Sequence, residues 1–358
     1  MRTAAPPFLP ALLPLLGLCT ACDGGSSAPD AADATTDLPD ASPAETTPDA
    51  SPDHAGPLDD LLRLDQLQVR GTHNSYHVAL DSPVDPSHAY SHAPLDVQLG
   101  EQGVRAFELD VHASSSGEGL EVYHIIVLDP LATCDTLAAC LTTIRDWSDE
   151  HRGHLPLAIW IEVKDDTGGP PISDLDAVDV EIRAVLDEDR LYTPDDLQGV
   201  HDSPRDRLAA SGWPTLAELR GKVFFVLLDT DRAAEYTRGF TDLVGRAMFA
   251  RADAAHYADP WAAIAKVNDP TADAELAAAL AADLLVASNT CGGGDSDTAC
   301  AYRLAAALRN GVHHLMDDIP APIAGRDYWA DLGFGPAPAR CNPRSAPPEC
   351  TPSALEPP

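Results

Sequence analysis

From about Leu58 to Gly333 the chain alternates short apolar runs of β character with Ala- and Leu-rich stretches whose apolar residues recur at helical spacing. Eight runs read as strands: Leu67–Gly71, Val104–Val111, Leu120–Ile125, Leu157–Val163, Val223–Leu228, Arg246–Ala250, Leu284–Ser288 and Val312–Met316. The helical period predicts helices over Thr136–Glu150, Ile172–Leu186, Thr215–Leu219, Pro260–Lys266, Asp273–Ala282 and Ala299–Arg309. Alternation of the two element types implies parallel strands joined by crossover helices. Eight strands over this span predict an α/β fold closed as a (β/α)8 TIM-type barrel, irregular where a connection is too short for a helix. The run CGGGD at Cys291 has the spacing of neither glycine-rich nucleotide loop.

The two ends break the pattern. Arg2, an apolar run from Ala11 to Leu18 and small residues before a cysteine read as an export signal covering residues 1–22. Ala21 directly before Cys22 matches lipoprotein processing, so Cys22 is expected to be the lipidated N-terminus of an exported envelope protein; ordinary cleavage would give a secreted one. Asp23–Gly56 holds eight acidic residues, no Lys or Arg, and Leu38 as its one large aliphatic residue, which predicts a disordered linker. The barrel is expected over residues 57–333 and a Pro-rich segment over 334–358. With Cys19 and Cys22 set aside, six cysteines fall into close pairs, Cys134/Cys140, Cys291/Cys300 and Cys341/Cys350, and in an exported chain this favours three local disulfides over zinc.

Charge narrows the chemistry. A formal net charge of −34 over 358 residues repels phosphate polymers, which argues against nucleic acid as a partner. An anionic substrate would need a cation, and carboxylates in such excess are hard oxygen ligands for calcium or magnesium.

In a barrel of this kind the active site lies where the strands end. The first strand runs out through GTHNSYH, placing His73 and Asn74 at its exit. The second carries Glu108 and Asp110 two residues apart, hence on one face. Two carboxylates on an inward face repel and lose hydration unless a cation joins them. His124 lies near the end of the third strand, and Glu162 and Lys164 share a face of the apolar fourth, although Lys164 could equally pair with Asp165, Asp166 or another strand-end acid. Asn74, Glu108, Asp110 and Glu162 supply only oxygen donors, suited to a hard ion such as Ca2+. His73 and His124 could exchange protons near neutral pH. His77, His88, His92, His112, His313 and His314 are expected to be hydrogen-bonded structure, and Asp317 and Asp318 are left without a role.

At these residues the chain resembles the catalytic region of calcium-dependent phosphoinositide-specific phospholipase C, in particular its small secreted bacterial branch. GTHNSYH, FELD, VYH, the glutamate after LPLAIWI, ELRGK at Glu218–Lys222 and VHHLMDDIPAP carry the resemblance, in order, from about Leu64 to Pro320. It implies that His73 stabilises the pentacovalent phosphorane and that His124 protonates the departing diacylglycerol oxygen. It further implies that Asn74, Glu108, Asp110 and Glu162 hold calcium, with a carboxylate near the metal as base; Glu108 is counted among the catalytic residues, and which carboxylate serves as base stays open. The products would be diacylglycerol and a cyclic inositol phosphate. Where members that act on polyphosphorylated lipids place further lysines after RGK, this chain continues in apolar residues, which predicts a preference for unphosphorylated phosphatidylinositol, with Lys164 on the scissile phosphate. The expected partner is a phospholipid surface, reached by a monomer on a lipid anchor. A glycerophosphodiester phosphodiesterase on the same barrel is the alternative, as is a non-catalytic calcium- or lipid-binding lipoprotein; the former is ranked lower because THN stands where that family shows HRG.

Overall fold

The computed structural model describes residues 56–114, 116–117, 119–164, 171–335 and 337–356. The export signal, Cys22, the linker up to residue 55, and Asp165 with Asp166 lie outside the described residues.

Ten strands form one sheet: β1 (Leu67–Thr72), β2 (Ala106–Ala113), β3 (Leu120–Val122), β4 (Leu157–Val163), β5 (Val223–Leu227), β6 (Met248–Ala252), β7 (Ile264–Lys266), β8 (Leu285–Cys291), β9 (His314–Asp317) and β10 (Ala339–Cys341). Eight of them, all but β3 and β10, run parallel in the order β1-β2-β4-β5-β6-β7-β8-β9. The β9–β1 pairing, with Thr72 opposite Asp317, and the Gly71–Ala106 bridge between β1 and β2 close the ring. The predicted (β/α)8 barrel is therefore present, but two of its elements were misassigned. The run at Leu120 is a short antiparallel partner of β2 outside the barrel, because only six residues separate them and a parallel crossover needs a dozen residues or more. The eighth barrel strand is instead β7, within a stretch read as the helix Pro260–Lys266; packing between β6 and β8 overrides its Ala-rich helical propensity.

Alternate residues along the strands enter two different apolar clusters, as the period of two requires. Phe107, Leu109, Ile159, Ile161, Phe225 and Leu315 pack outward against Leu141 and Ile144 of helix Leu137–Glu150, Val178 and Ile182 of helix Asp176–Val185, and Leu304 of helix Asp297–Asn310. Ala106, Trp160, Phe224, Val226, Phe249 and Ile264 form the other cluster, which fills the barrel. Gly71 is confined here: a Cβ on it would meet Met316 Sδ at 2.7 Å and the Ala106 Cβ at 3.0 Å. Thr136 and Ser296 cap the two longest helices by accepting the amides of Ala139 and Ala299, a contribution of about 1 kcal/mol each.

All three expected disulfides form, Cys134–Cys140, Cys291–Cys300 and Cys341–Cys350. The last anchors β10, which pairs antiparallel with β1, so residues 339–341 extend the sheet.

Candidate active site

Near the carboxyl end of five of the barrel strands the inward positions turn from apolar to polar. Trp160 is followed two residues later by Glu162, Phe249 by Arg251, Ile264 by Lys266, Ala287 by Asn289, and Ala106 by Glu108 and then Asp110. The lower interior is thus an apolar plug and the upper interior a ring of charge. A cavity of about 350 Å³ opens there, lined by residues that include His73, Glu108, Glu162, Lys164, Arg251 and Lys266. A larger cavity of about 610 Å³ lies between Trp147, Phe334 and the C-terminal residues; its buried charges, Arg105 and Glu356, pair with each other, so it offers no comparable chemistry.

Three carboxylates meet in the ring. Asp110 and Glu162 are direct partners across the β2–β4 register, and one oxygen from each of Glu108, Asp110 and Glu162 lies within 4.8 Å of the other two. Lys164 Nζ stands 2.8 Å from Glu162 and 3.3 Å from Asp110, and Lys266 Nζ donates to Glu108 at 2.6 Å. Three carboxylates thus face two ammonium groups, with the His73 imidazole beside Glu108. Burial, and then the Glu162 carboxylate beside it, push Asp110 well above the usual carboxylate range. Burial also raises Glu108, but Lys266 and His73 outweigh it and hold Glu108 below its ordinary value.

The loop after β1 is laced to β2. Ser75 N donates to the Glu108 carbonyl and Ser75 Oγ accepts the Glu108 amide, both at 2.8 Å. Asn74 between them adopts a left-handed φ of 44°, which asparagine tolerates better than most residues. Its Oδ1 is buried without a hydrogen-bond donor, as are both oxygens of Asp110. Orphaned buried acceptors of this kind are costly, and an all-oxygen set completed by Glu108 and Glu162 fits a hard divalent cation.

His73 Nδ1 bonds Asp318 Oδ1 at 2.9 Å, and its Nε2 lies 3.6 Å from Glu108. Burial alone would lower its pKa, yet Asp318 and Glu108 prevail and raise it to about 9. Asp318 is fixed in turn by the Gly293 amide. His124 belongs to the loop after β3, not to a barrel strand end. Its Nδ1 bonds buried Asp129 at 2.8 Å, and burial lowers its pKa against that bond. It stands beside the cavity rather than in its lining, close enough for the Lys164 charge to lower it further.

Sequence reasoning missed Lys266, Arg251, Asn289, Asp318 and Asp129. The switch from apolar to polar at strand ends marks the first three; the helical reading of Pro260–Lys266 concealed Lys266. Asp229 was missed too: it accepts the Val163 amide at 2.7 Å and burial lifts it to about 7. The ELRGK motif lies at the opposite end of the barrel, before β5, where Arg220 binds Asp59 and Lys222 bonds the Asp189 carbonyl. Five of the six histidines expected to be structural are so: His92 bonds the His73 carbonyl, His112 the Tyr123 carbonyl, and His313 and His314 accept from Val286 N and Trp160 Nε1; the sixth, His88, is not, since its buried Nδ1 has no hydrogen-bond partner. His77 bonds Asp129.

The family model for phosphoinositide phospholipase C, Ca2+-dependent, matches residues 62–119 and 114–343, most of the chain. The chain belongs to the calcium-dependent phosphoinositide phospholipase C family. It is therefore an enzyme of the phosphodiesterase class, in a family that depends on Ca2+. The enzyme's fold is similar to a calcium-dependent phosphoinositol-specific phospholipase C from a Gram-negative Pseudomonas species, at 18% identity and a TM-score of 0.57 over 82% of this chain and 99% of that one. It is also similar to a Ca2+-dependent phosphatidylinositol-specific phospholipase C from Streptomyces antibioticus, at 20% identity and a TM-score of 0.52, over 72% of this chain and 94% of that one. No curated protein matches the chain in sequence.

Proposed function

We propose that the enzyme cleaves phosphatidylinositol into diacylglycerol and a cyclic inositol phosphate. The observation that carries this reading is the meeting, at one barrel mouth, of an all-oxygen donor set with carboxylate-held imidazoles beside it. Asn74, Glu108, Asp110 and Glu162 would hold calcium. When bound, the ion makes the inositol 2-hydroxyl more acidic and offsets charge on the phosphoryl oxygens. Glu108, kept ionised by Lys266 and His73, accepts the hydroxyl proton, and the freed oxygen attacks phosphorus as the bond to the glycerol oxygen breaks. His73, cationic between Asp318 and Glu108, faces the charge that builds on the crowded phosphorus. His124, aligned by Asp129, gives its proton to the leaving glycerol oxygen. Lys164 contacts the scissile phosphate, a second partner beside its carboxylates.

The substrate reading gains support from the rim. Ile126, Val127, Leu128 and Leu131 are exposed, Val127 to 81%, in the loop that carries His124 and Asp129. Val127 would gain about 1.5–3 kcal/mol on full burial in lipid and the three less exposed residues roughly half as much each, which opposes the repulsion between an acidic protein and an anionic surface. No helix among the described residues is long and apolar enough to cross a membrane, so attachment falls to this rim and to lipidation at Cys22 on a monomer in the cell envelope. Unphosphorylated phosphatidylinositol is the preferred substrate: Lys164 is taken up by the scissile phosphate, Lys266 donates to Glu108, and the carboxylates of Asp229 and Asp231 line the same cavity.

Hydrolysis of phosphatidylinositol vesicles with calcium and with chelator, followed by phosphorus NMR, tests the reading. Cyclic inositol phosphate formed only with calcium is expected. Free glycerol 3-phosphate, or undiminished turnover under chelator, overturns it.

A further inference from the structure

Beside the calcium-type site stands a second cluster of different chemistry. Asp129, 1% exposed, receives three imidazoles: His77 Nε2 at 2.9 Å, His124 Nδ1 at 2.8 Å and His88 Nδ1 at 3.3 Å. The first two are hydrogen bonds. The third is not: His88 Nδ1 is buried and has no hydrogen-bond partner. His88 ends the short turn Pro86–His88 in the loop between β1 and helix Leu95–Gly100, whereas His124 and Asp129 belong to the loop after β3. Two loops thus aim nitrogen and oxygen ligands at one point.

We propose that His88, His124 and Asp129 form a zinc site that switches the enzyme off when filled. One ligand atom from each lies within 4.8 Å of the other two, and tetrahedral zinc with bonds of about 2.0–2.2 Å holds its ligands roughly 3.3 Å apart, so small side-chain shifts suffice. Two imidazoles and one carboxylate select zinc over calcium, the reverse of the preference of the four oxygen donors nearby. His77 supplies the outer support, bonding Asp129 and fixing the carboxylate. A fourth position stays open to water.

The inhibitory half rests on the reading of His124 as proton donor. Zinc would replace the proton between His124 and Asp129, taking the Nδ1 lone pair and releasing that proton to solvent. The ring's remaining hydrogen then sits on Nε2, and losing it would leave an imidazolate, so the ring ceases to donate near neutral pH.

The test titrates zinc into the calcium-saturated enzyme, with zinc bound per chain and turnover measured separately, for the wild type, His88→Ala and His88→Asn. One zinc per chain is expected, with turnover falling as the site fills. Both variants should keep basal turnover and lose zinc affinity by about tenfold or more; two variants guard against one that misfolds. No zinc bound under calcium saturation overturns the site, as does zinc binding or inhibition unchanged in both variants, which would put the metal among the carboxylates. Zinc bound at His88 without loss of turnover overturns the inhibitory role and, with it, His124 as the donor, while calcium-dependent cleavage would stand.

Discussion

The two ends of the barrel bury charge in opposite ways. At the amino-terminal end, Arg220 donates to both Asp59 oxygens, at 2.8 and 2.6 Å, and to the carbonyls of Gly153 and Leu355. Arg105 likewise grips Glu356, whose Oε2 also accepts the Leu155 amide. Both of these buried arginines are held by a carboxylate and by backbone carbonyls. At the carboxyl end, Asp110 has no hydrogen-bond donor on either oxygen, and Asn74 and Asn289 each leave a buried oxygen bare. Arg105, Arg220 and Asp110 are all buried, so burial does not separate these two pairs from the site; the partnering of their polar atoms does. Closed networks hold the fold, and open ones await a ligand.

The comparison breaks first at Asp110. Asp110→Asn should cost about a thousandfold in kcat and weaken calcium binding while leaving the melting temperature near its wild-type value, because Lys164 keeps Glu162 as its partner at 2.8 Å and a buried charge is removed. A fall in stability without loss of turnover would reverse the assignment of the two ends. At the other end, Asp59→Ala strands a buried guanidinium and should cost about 3 kcal/mol of stability by denaturant unfolding, with kcat intact in the folded fraction. Asp129→Asn sharpens the contrast within the mouth: as a positioning residue its loss should lower kcat about ten- to a hundredfold with KM and calcium affinity unchanged, and Asp129→Glu should restore part of it.

The smallest expected effect is one of pH. Burial raises Glu356, but Arg105 outweighs it and holds the carboxyl below its ordinary value. A depressed folded pKa stabilises above the unfolded value and is lost as pH falls through the folded one. Glu356→Gln should therefore lose stability at neutral pH, by less than Asp59→Ala does, and its deficit should shrink toward zero as acid protonates the native side chain. A deficit constant from neutral to strongly acid pH would mean that packing, not charge, holds the C-terminal residues.

Much of the site was readable because a strand's period is two. Glu108 with Asp110, and Glu162 with Lys164, announce a shared inward face within one segment, and the ordered motifs placed His73 and Asn74 at a strand exit. Lys266 escaped because alanines favour helix in isolation, and only the neighbours β6 and β8 make Ile264–Lys266 a strand. The chain has three lysines, and two of them, Lys164 and Lys266, sit in the mouth. Asp318 and Asp129 escaped for another reason: an aspartate after a strand or in a loop has no periodic signature, and its meaning lies in the histidine it meets.

The chain's own pattern determined the parallel barrel, the three local disulfides and the carboxylates on the β2 and β4 faces, since each depends on spacing within a few residues. Tertiary structure alone decided which strand counts as the eighth, that Lys266 reaches Glu108 across 158 positions of chain, and that His88, His77 and His124 converge on Asp129. Such meetings follow from closing the sheet upon itself, which brings distant residues together through register and loop path. Local propensity carries no record of either.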